Sequence, residues 1–362
     1  MKIIDKRMAV REILLKPKFM RLKQVSMAVD YRLDKDRKED RYSHSIEVAN
    51  ATEIMNDFIS ERVGFKTDYR NTGYIVGLMH DIGHPSFGHE GAAVLDKLIR
   101  KASNNKIIFD DNSNNYVVIQ KNQMLKDINE DDQKYILASL AKHPEAIYDD
   151  QDYILKIIEE ELRKELIYLK DISKGKIVDL KKTLQCQIMD IADENSYIVS
   201  DIIDSLNIMN KESLAKAITD NIDIEYSPDI VESLFSSKND FVTKMQDIFF
   251  MFCNNYIINN EGKVVYLDKK IEGLRKSLLK INITYVINSK KVRNIRFKNT
   301  EIMKKVANFF INEEYDIRLI PSTFYREEIS LVETEEERLI SIRNMLGAMT
   351  DKGIKKFYKK LS

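Results

Sequence analysis

Only 11 glycines and 5 prolines interrupt a chain of 362 residues. An average protein devotes roughly 12% of its residues to these two breakers, and sandwiches and barrels spend them at their many turns. A chain so poor in both is expected to be mostly α-helical. Hydrophobic residues at 43% and charged residues at 32% suit a globular chain with a sizeable core, not a disordered one. The 58 basic and 58 acidic side chains cancel, so overall charge draws the chain neither to nucleic acid nor to an anionic membrane. Two cysteines, Cys186 and Cys253, make no disulfide framework. The longest apolar run, residues 248–253, is far too short to cross a bilayer, and the N-terminus carries no signal-peptide run. These features together predict a cytoplasmic protein with no membrane partner.

Apolar residues return at three- and four-residue intervals over 43–60, at Ile46, Ala49, Ile54, Met55, Phe58 and Ile59, which predicts a helix. Further helices are expected over about 72–81, ending near Gly83 and Pro85, over about 90–101, and as long elements over 133–170 and 178–208. Two stretches read as hairpins, 106–120 around the Asp110–Asn114 cluster and 256–267 around Asn260-Glu261-Gly262. Segment 282–298 alternates weakly and reads as strand. Thr334 followed by Glu337 has the spacing of a capping box. The charge-dense stretch 30–41 reads as a solvated loop. With no repeat, low-complexity tract or linker, residues 1–362 are expected to form one domain. Its metal-site core would cover about 40–210, and a helical C-terminal part about 211–362.

The chemistry concentrates in the histidines. Of the 5 in the chain, His44 sits on the first predicted helix, and His80, His84 and His89 fall in one ten-residue stretch. His143 stands alone in Lys142-His143-Pro144 and reads as structural. Imidazole and carboxylate suit a borderline divalent ion, and the adjacent His80-Asp81 pair at a helix end lets both reach one ion. On helix 182–208, Asp190, Asp193, Tyr197, Asp201 and Asp204 fall within an arc of about 80°. Taken alone, that stripe is most simply a solvated face. Yet it contains no Lys or Arg, so something positive is expected to face it.

Three motifs stand in a fixed order: Arg41-Tyr42-Ser43-His44, then His80-Asp81-Ile82-Gly83-His84-Pro85-Ser86-Phe87-Gly88-His89-Glu90-Gly91, then Ala192-Asp193-Glu194-Asn195-Ser196-Tyr197 with Asp201. They resemble the HD-domain deoxynucleoside triphosphate triphosphohydrolases, the dGTPase-like family. Phe19-Met20-Arg21-Leu22-Lys23 and Leu346-Gly347-Ala348-Met349-Thr350-Asp351 extend the resemblance towards both ends. It implies a helical HD fold, with short β-hairpin insertions in this chain, and one divalent ion (Mg, Mn, or a transition metal such as Fe, Ni or Zn) held by His44, His80, Asp81 and Asp193. It also implies hydrolysis of a deoxynucleoside triphosphate, dGTP-like, to deoxynucleoside and triphosphate. His89 matches the family's general acid with His84 beside it, Arg41 an α-phosphate contact, and Tyr197 and Asp201 the pair that meets the sugar. A homo-oligomer and a nucleotide activator are implied as partners.

Two departures stand out. The family's acid two residues after the Gly-His-Glu of the loop is replaced by Ala92, and no second histidine follows between His89 and His143. Without these groups, slow basal hydrolysis is expected. A nucleotide-binding regulator with weak or activator-dependent turnover is therefore an alternative, as is an HD phosphohydrolase of another nucleotide.

Overall fold

The computed structural model describes residues 2–27, 40–148, 151–206, 209–221, 238–312 and 333–361. The predicted periodicities become fifteen α-helices among them and one two-stranded sheet. In chain order these are α1 (Ile3–Leu15), α2 (Pro17–Met20), α3 (Arg41–Val63), α4 (Gly73–Met79), α5 (Gly88–Ala102), α6 (Asp111–Lys121), α7 (Glu130–Ser139), α8 (Asp152–Ile172), α9 (Leu184–Ser205), α10 (Lys211–Asn221), α11 (Lys238–Cys253), β1 (Tyr256–Ile258), β2 (Val264–Tyr266), α12 (Lys269–Ile281), α13 (Lys290–Asn312), α14 (Glu335–Ala348) and α15 (Asp351–Leu361). Among the described residues, no helix is long and apolar enough to cross a membrane.

Three of the apolar clusters among the described residues join most of the helices. In the first, Val48 and Ala49 of α3, Ile75 and Leu78 of α4 and Ile188, Met189 and Ala192 of α9 bury one another. The second joins Leu95 and Ile99 of α5 to Met303 and Phe310 of α13, Ile342 of α14 and Phe357 of α15. The third packs Ile198 and Ile202 of α9 against Phe241 and Met245 of α11 and Leu278 of α12. Helix α9 therefore serves the first and third of these cores, with its acidic stripe on the opposite side. Helix α4 lies tightly against α3. A Cβ on Gly77 would lie 2.6 Å from Ala49 Cα, so glycine is what lets the two backbones touch.

The helices expected over 43–60, 72–81 and 90–101 are α3, α4 and α5. The capping box at Thr334 and Glu337 opens α14. The hairpin expected over 256–267 is the antiparallel pair β1–β2, turning through Gly262 at φ 68°. Four expectations are corrected. Stretch 106–120 is not a hairpin; the Asp110 carboxylate accepts from Ser113 N at 2.8 Å and starts helix α6. Asp, Asn and Ser favour helix caps and turns alike, which is why that cluster misleads. Segment 282–298 is not strand but a π-helical turn, Asn282–Ile287, leading into α13. The long element over 133–170 is two helices, α7 and α8, separated by a segment holding Pro144, which cannot continue a helix. Helix α9 starts only at Leu184, where the Thr183 side chain caps Cys186 N. Most of the stretch 30–41, residues 30–39, lies outside the described residues.

One buried carboxyl ties the fold to pH. Glu165 of α8 is fully buried, accepts a 2.6 Å hydrogen bond from Tyr135 Oη, and is pushed up to about 8 by burial. Between its ordinary value of 4.5 and 8 the folded chain holds a proton that the unfolded chain has released. The stability it contributes is therefore full below the lower value and declines as pH rises through the upper one. Glu165→Gln keeps the shape and the acceptor, so it should remove this decline. By calorimetry, the variant should gain in melting temperature over the parent from about pH 5 to about pH 8.5; an equal difference at both values would contradict the assignment.

Candidate active site

The histidine loop follows α4 and is clamped from three directions. Gly83 N donates to Asn115 Oδ1, and Asn114 Nδ2 donates to Gly83 O, both at 2.6 Å. Asn115 Nδ2 also reaches His80 O at 2.7 Å. The start of α6 lies so close that a Cβ on Gly83 would sit 2.3 Å from Asn115 N. From the N-terminal side, Arg21 Nη2 donates to Ile82 O and His84 O at 2.8 and 2.9 Å. From the C-terminal side, Asp351 accepts from Phe87 N at 2.9 Å and from Ser26 N at 3.2 Å. The motif stretches at the two ends of the chain are thus the braces of the loop. They also hold Phe87 in the left-handed region, at φ 65°, a conformation that a non-glycine residue adopts only when its surroundings demand it.

His44, His80, Asp81 and Asp193 converge from α3, the end of α4 and α9. His44 Nε2 lies 2.9 Å and His80 Nε2 3.5 Å from Asp193 Oδ1, and the two rings meet edge to face at 5.4 Å. Asp81 Oδ1 is 3.3 Å from His80 Nε2, while its Oδ2 pairs with Arg41. His80 Nδ1 is 2.7 Å from Gly77 O. A carbonyl can only accept, so Nδ1 carries the proton and Nε2 of the neutral ring presents its lone pair. That Nε2 is buried, has no hydrogen-bond partner and faces carboxylate oxygens. A lone pair set among anionic oxygens is what a cation ligand looks like, with the second ring nitrogen fixed by a backbone carbonyl. The donor set fits a divalent ion, and His44, His80 and Asp193 lie close enough together to share one.

Electrostatics keeps both carboxylates ionised. Burial works against Asp81, yet Arg41 leads the groups that hold its carboxyl far below the usual range. Burial likewise works against Asp193, and Lys142 leads the groups that hold it down. Lys142 Nζ bonds Asp193 Oδ2 at 2.5 Å and stands 3.6 Å from Asp190. Despite its burial, Lys142 is itself held above its ordinary value by Asp193, Asp190 and Asp81. It is the positive charge that the acidic stripe of α9 required, and by occupying Oδ2 it leaves Oδ1 to the histidines. His143, one residue on, lies at the surface against Glu145.

The remaining predicted residues fall around this centre. Arg41 is buried, and its Nη2 lies against Gly88. His84 is buried between two acids, with Nδ1 3.1 Å from Asp81 Oδ1 and Nε2 3.1 Å from Asp111 Oδ2. Burial, aided by Arg41, pushes the His84 imidazolium down to about 4. His89, with its side chain 70% exposed, places Nδ1 2.8 Å from the same Asp111 oxygen. Asp201 is buried and accepts from Asn282 Nδ2 at 3.0 Å; burial pushes its carboxyl up to about 6. Tyr197 is partly buried one turn earlier on α9. A cavity of about 500 Å³, lined by Ser43, Glu47, Asn50, Val199, Asp204 and Phe249 among others, lies beside the centre and includes none of the predicted site residues.

Three residues at this centre escaped the sequence reading. Lys142 stands next to the more conspicuous His143, and the acidic stripe of α9 is the one cue to a cation. Asp111 falls in a stretch whose residues suit a hairpin turn. Arg296 of α13 reaches Glu90 at 3.3 Å, and its buried Nε has no hydrogen-bond partner; nothing in its sequence neighbourhood marks it.

Comparison with known proteins finds similarity over this region and beyond. Residues 41–197 match the HD domain family, and that span runs from Arg41 to Tyr197. Over 90% of this chain and 85% of the relative, it is 23% identical to deoxyguanosinetriphosphate triphosphohydrolase-like protein 2 of Deinococcus radiodurans. A similarly named protein of Vibrio vulnificus is 22% identical over 89% of this chain and 84% of its own length. One of Mesorhizobium japonicum is 27% identical over 46% and 39%. Over residues 41–197 the chain is similar to HD domains, and along nearly its whole length it resembles proteins named deoxyguanosinetriphosphate triphosphohydrolase-like.

Proposed function

We propose that this chain is a metal-dependent phosphohydrolase that releases triphosphate from a deoxynucleoside triphosphate, its ion held by His44, His80, Asp81 and Asp193. The observation that carries the reading is His80, whose proton is committed to Gly77 O and whose lone pair faces Asp81 and Asp193. A divalent ion in that setting would polarise an α-phosphate and lower the pKa of a nearby water. The names of the relatives supply the nucleotide class.

The chain's own groups account for the rest of the reaction. Water adds to the α-phosphorus and the bond from phosphorus to the 5′ oxygen breaks. The departing oxygen takes its proton from the His89 imidazolium, and a proton of the attacking water restores the ring. Buried, deprotonated His84 supports its neighbours and does not donate. Arg41 offers the α-phosphate a guanidinium fork. Tyr197 packs on the sugar, and Asp201 accepts from its 3′-hydroxyl. The regulator alternative rests on the missing acid and the missing second histidine; the Asp111 carboxylate beside His89 favours turnover instead. We also take residues 1–362 as one working unit, with the metal core over about 40–210, because Arg21 and Asp351 bring both ends of the chain onto the histidine loop.

Two experiments test the reading. Incubation with each of the four deoxynucleoside triphosphates and Mn²⁺ should yield triphosphate, and His80→Ala combined with Asp81→Ala should lose both the ion and the product. Phosphate or pyrophosphate as the product, or stoichiometric metal in the double variant, would refute it. Asp201→Asn removes a charged acceptor of the kind worth about 1.5–3 kcal/mol, so KM should rise roughly tenfold or more while the melting temperature moves little. An unchanged KM would return Asp201 to a structural role.

A further inference from the structure

We propose that Asp111 is the positioning residue of the histidine that protonates the leaving group, gripping His89 through the oxygen it shares with His84. The inference rests on the phosphohydrolase reading above and adds to it a group that neither the resemblance nor the relatives' names assign.

An imidazole as exposed as His89 is free to rotate unless something holds it. Here the holder is a carboxylate whose own side chain is 9% exposed. Asp111 is the first residue of α6, and that end of the helix is anchored several times over. Asp110 caps it, Tyr148 Oη donates to Asp110 O at 2.8 Å and accepts from Asp110 N at 3.0 Å, and Ser113 Oγ donates to Ala146 O at 2.5 Å. Asn114 and Asn115 tie the same turn to the histidine loop. An ionised carboxylate only accepts, so the 2.8 Å bond to Asp111 Oδ2 places the His89 proton on Nδ1 and leaves Nε2 for the substrate. Burial opposes ionisation of Asp111, but His84 and His89 outweigh it and hold the carboxyl well below its ordinary value. The His84 ring closes the arrangement, packed edge to face on His89 at 4.8 Å. Because His84 also faces Asp81, one chain of contacts runs from the metal ligand Asp81 through His84 and Asp111 to His89.

The position that carries an acid in the family cannot play this part here. Ala92 is buried in the second apolar cluster with Phe87, Leu95 and Met303. The carboxylate arrives instead from a different helix, 22 residues after His89. His84, His89 and Asp111 are also close enough to share a divalent ion. Two observations favour the positioning role: the His89 bond to Asp111 is fully formed, and Arg41 already supplies positive charge beside His84.

The test uses the full-length chain with Mn²⁺ and deoxynucleoside triphosphates. Losing the carboxylate beside a proton-transferring imidazole costs about 10²–10⁴-fold in kcat. Asp111→Asn should therefore lose at least 100-fold in kcat with KM within about threefold, with unchanged metal content and helical signal. Formate should restore a measurable part of the rate to Asp111→Ala. Independently of turnover, nitrogen-15 spectra of the 5 histidines should show the neutral His89 ring protonated at Nδ1 in the parent and no longer held so in Asp111→Ala. Parental kcat in Asp111→Asn, or an unchanged His89 tautomer in Asp111→Ala, would overturn the proposal. So would loss of an ion from Asp111→Asn, which would make the cluster a second metal site. A parent without triphosphate release would refute the phosphohydrolase reading alone, leaving the ring spectra to judge Asp111.

Discussion

The geometry of the proposed metal site depends on how closely α4 lies against α3. His44 and the His80-Asp81 pair belong to different helices, and they reach one another only because the backbones touch at Gly77 and Ala49. A side chain at 77 would set its Cβ 2.6 Å from Ala49 Cα, well inside van der Waals contact, so the two helices would have to part. The same short stretch also sets the chemistry of a ligand, since Gly77 O is the acceptor that commits the His80 proton to Nδ1. One residue thus governs both the spacing of the ligands and the tautomer of one of them.

Around that contact the structure answers a charge problem. Buried Asp81 and Asp193 face the same histidines, and two carboxylates so close are costly to keep ionised without compensation. Arg41 supplies it on one side and Lys142 on the other, each bonded to the oxygen turned away from the histidines. These cations fix which oxygen each acid presents. The pattern repeats at Asp111, where one oxygen serves both His84 and His89. Throughout the centre, carboxylates orient imidazoles and cations orient carboxylates.

What could be read in the sequence was what local spacing encodes. Helices α3, α4 and α5 follow from apolar residues at three- and four-residue intervals, and the His80-Asp81 cluster stands out at the end of α4, whereas the set of His44, His80, Asp81 and Asp193, which adds a residue of α9, rests on the resemblance of the ordered motifs. The braces Arg21 and Asp351 were visible as motifs, but their work was not, because it consists of hydrogen bonds to backbone more than sixty and two hundred and sixty residues away. Lys142 and Asp111 were hidden for the same reason. Each lies in an unremarkable local context and reaches the site only through tertiary packing. The misassigned hairpin shows a different failure: Asp110 to Asn115 carries the residues that start turns and the residues that start helices, and the choice falls to α6 only because Tyr148 and the histidine loop satisfy that end of the helix.

The central claim is that two imidazoles and two carboxylates from three helices hold a single divalent ion. X-ray absorption on the full chain loaded with Mn²⁺, read together with elemental analysis, tests it most directly. The account predicts one ion per chain, bound only through nitrogen and oxygen, with the outer-shell scattering of two imidazoles that falls to one in His44→Ala. An ion without imidazole scattering, or a spectrum indifferent to His44→Ala, would contradict it.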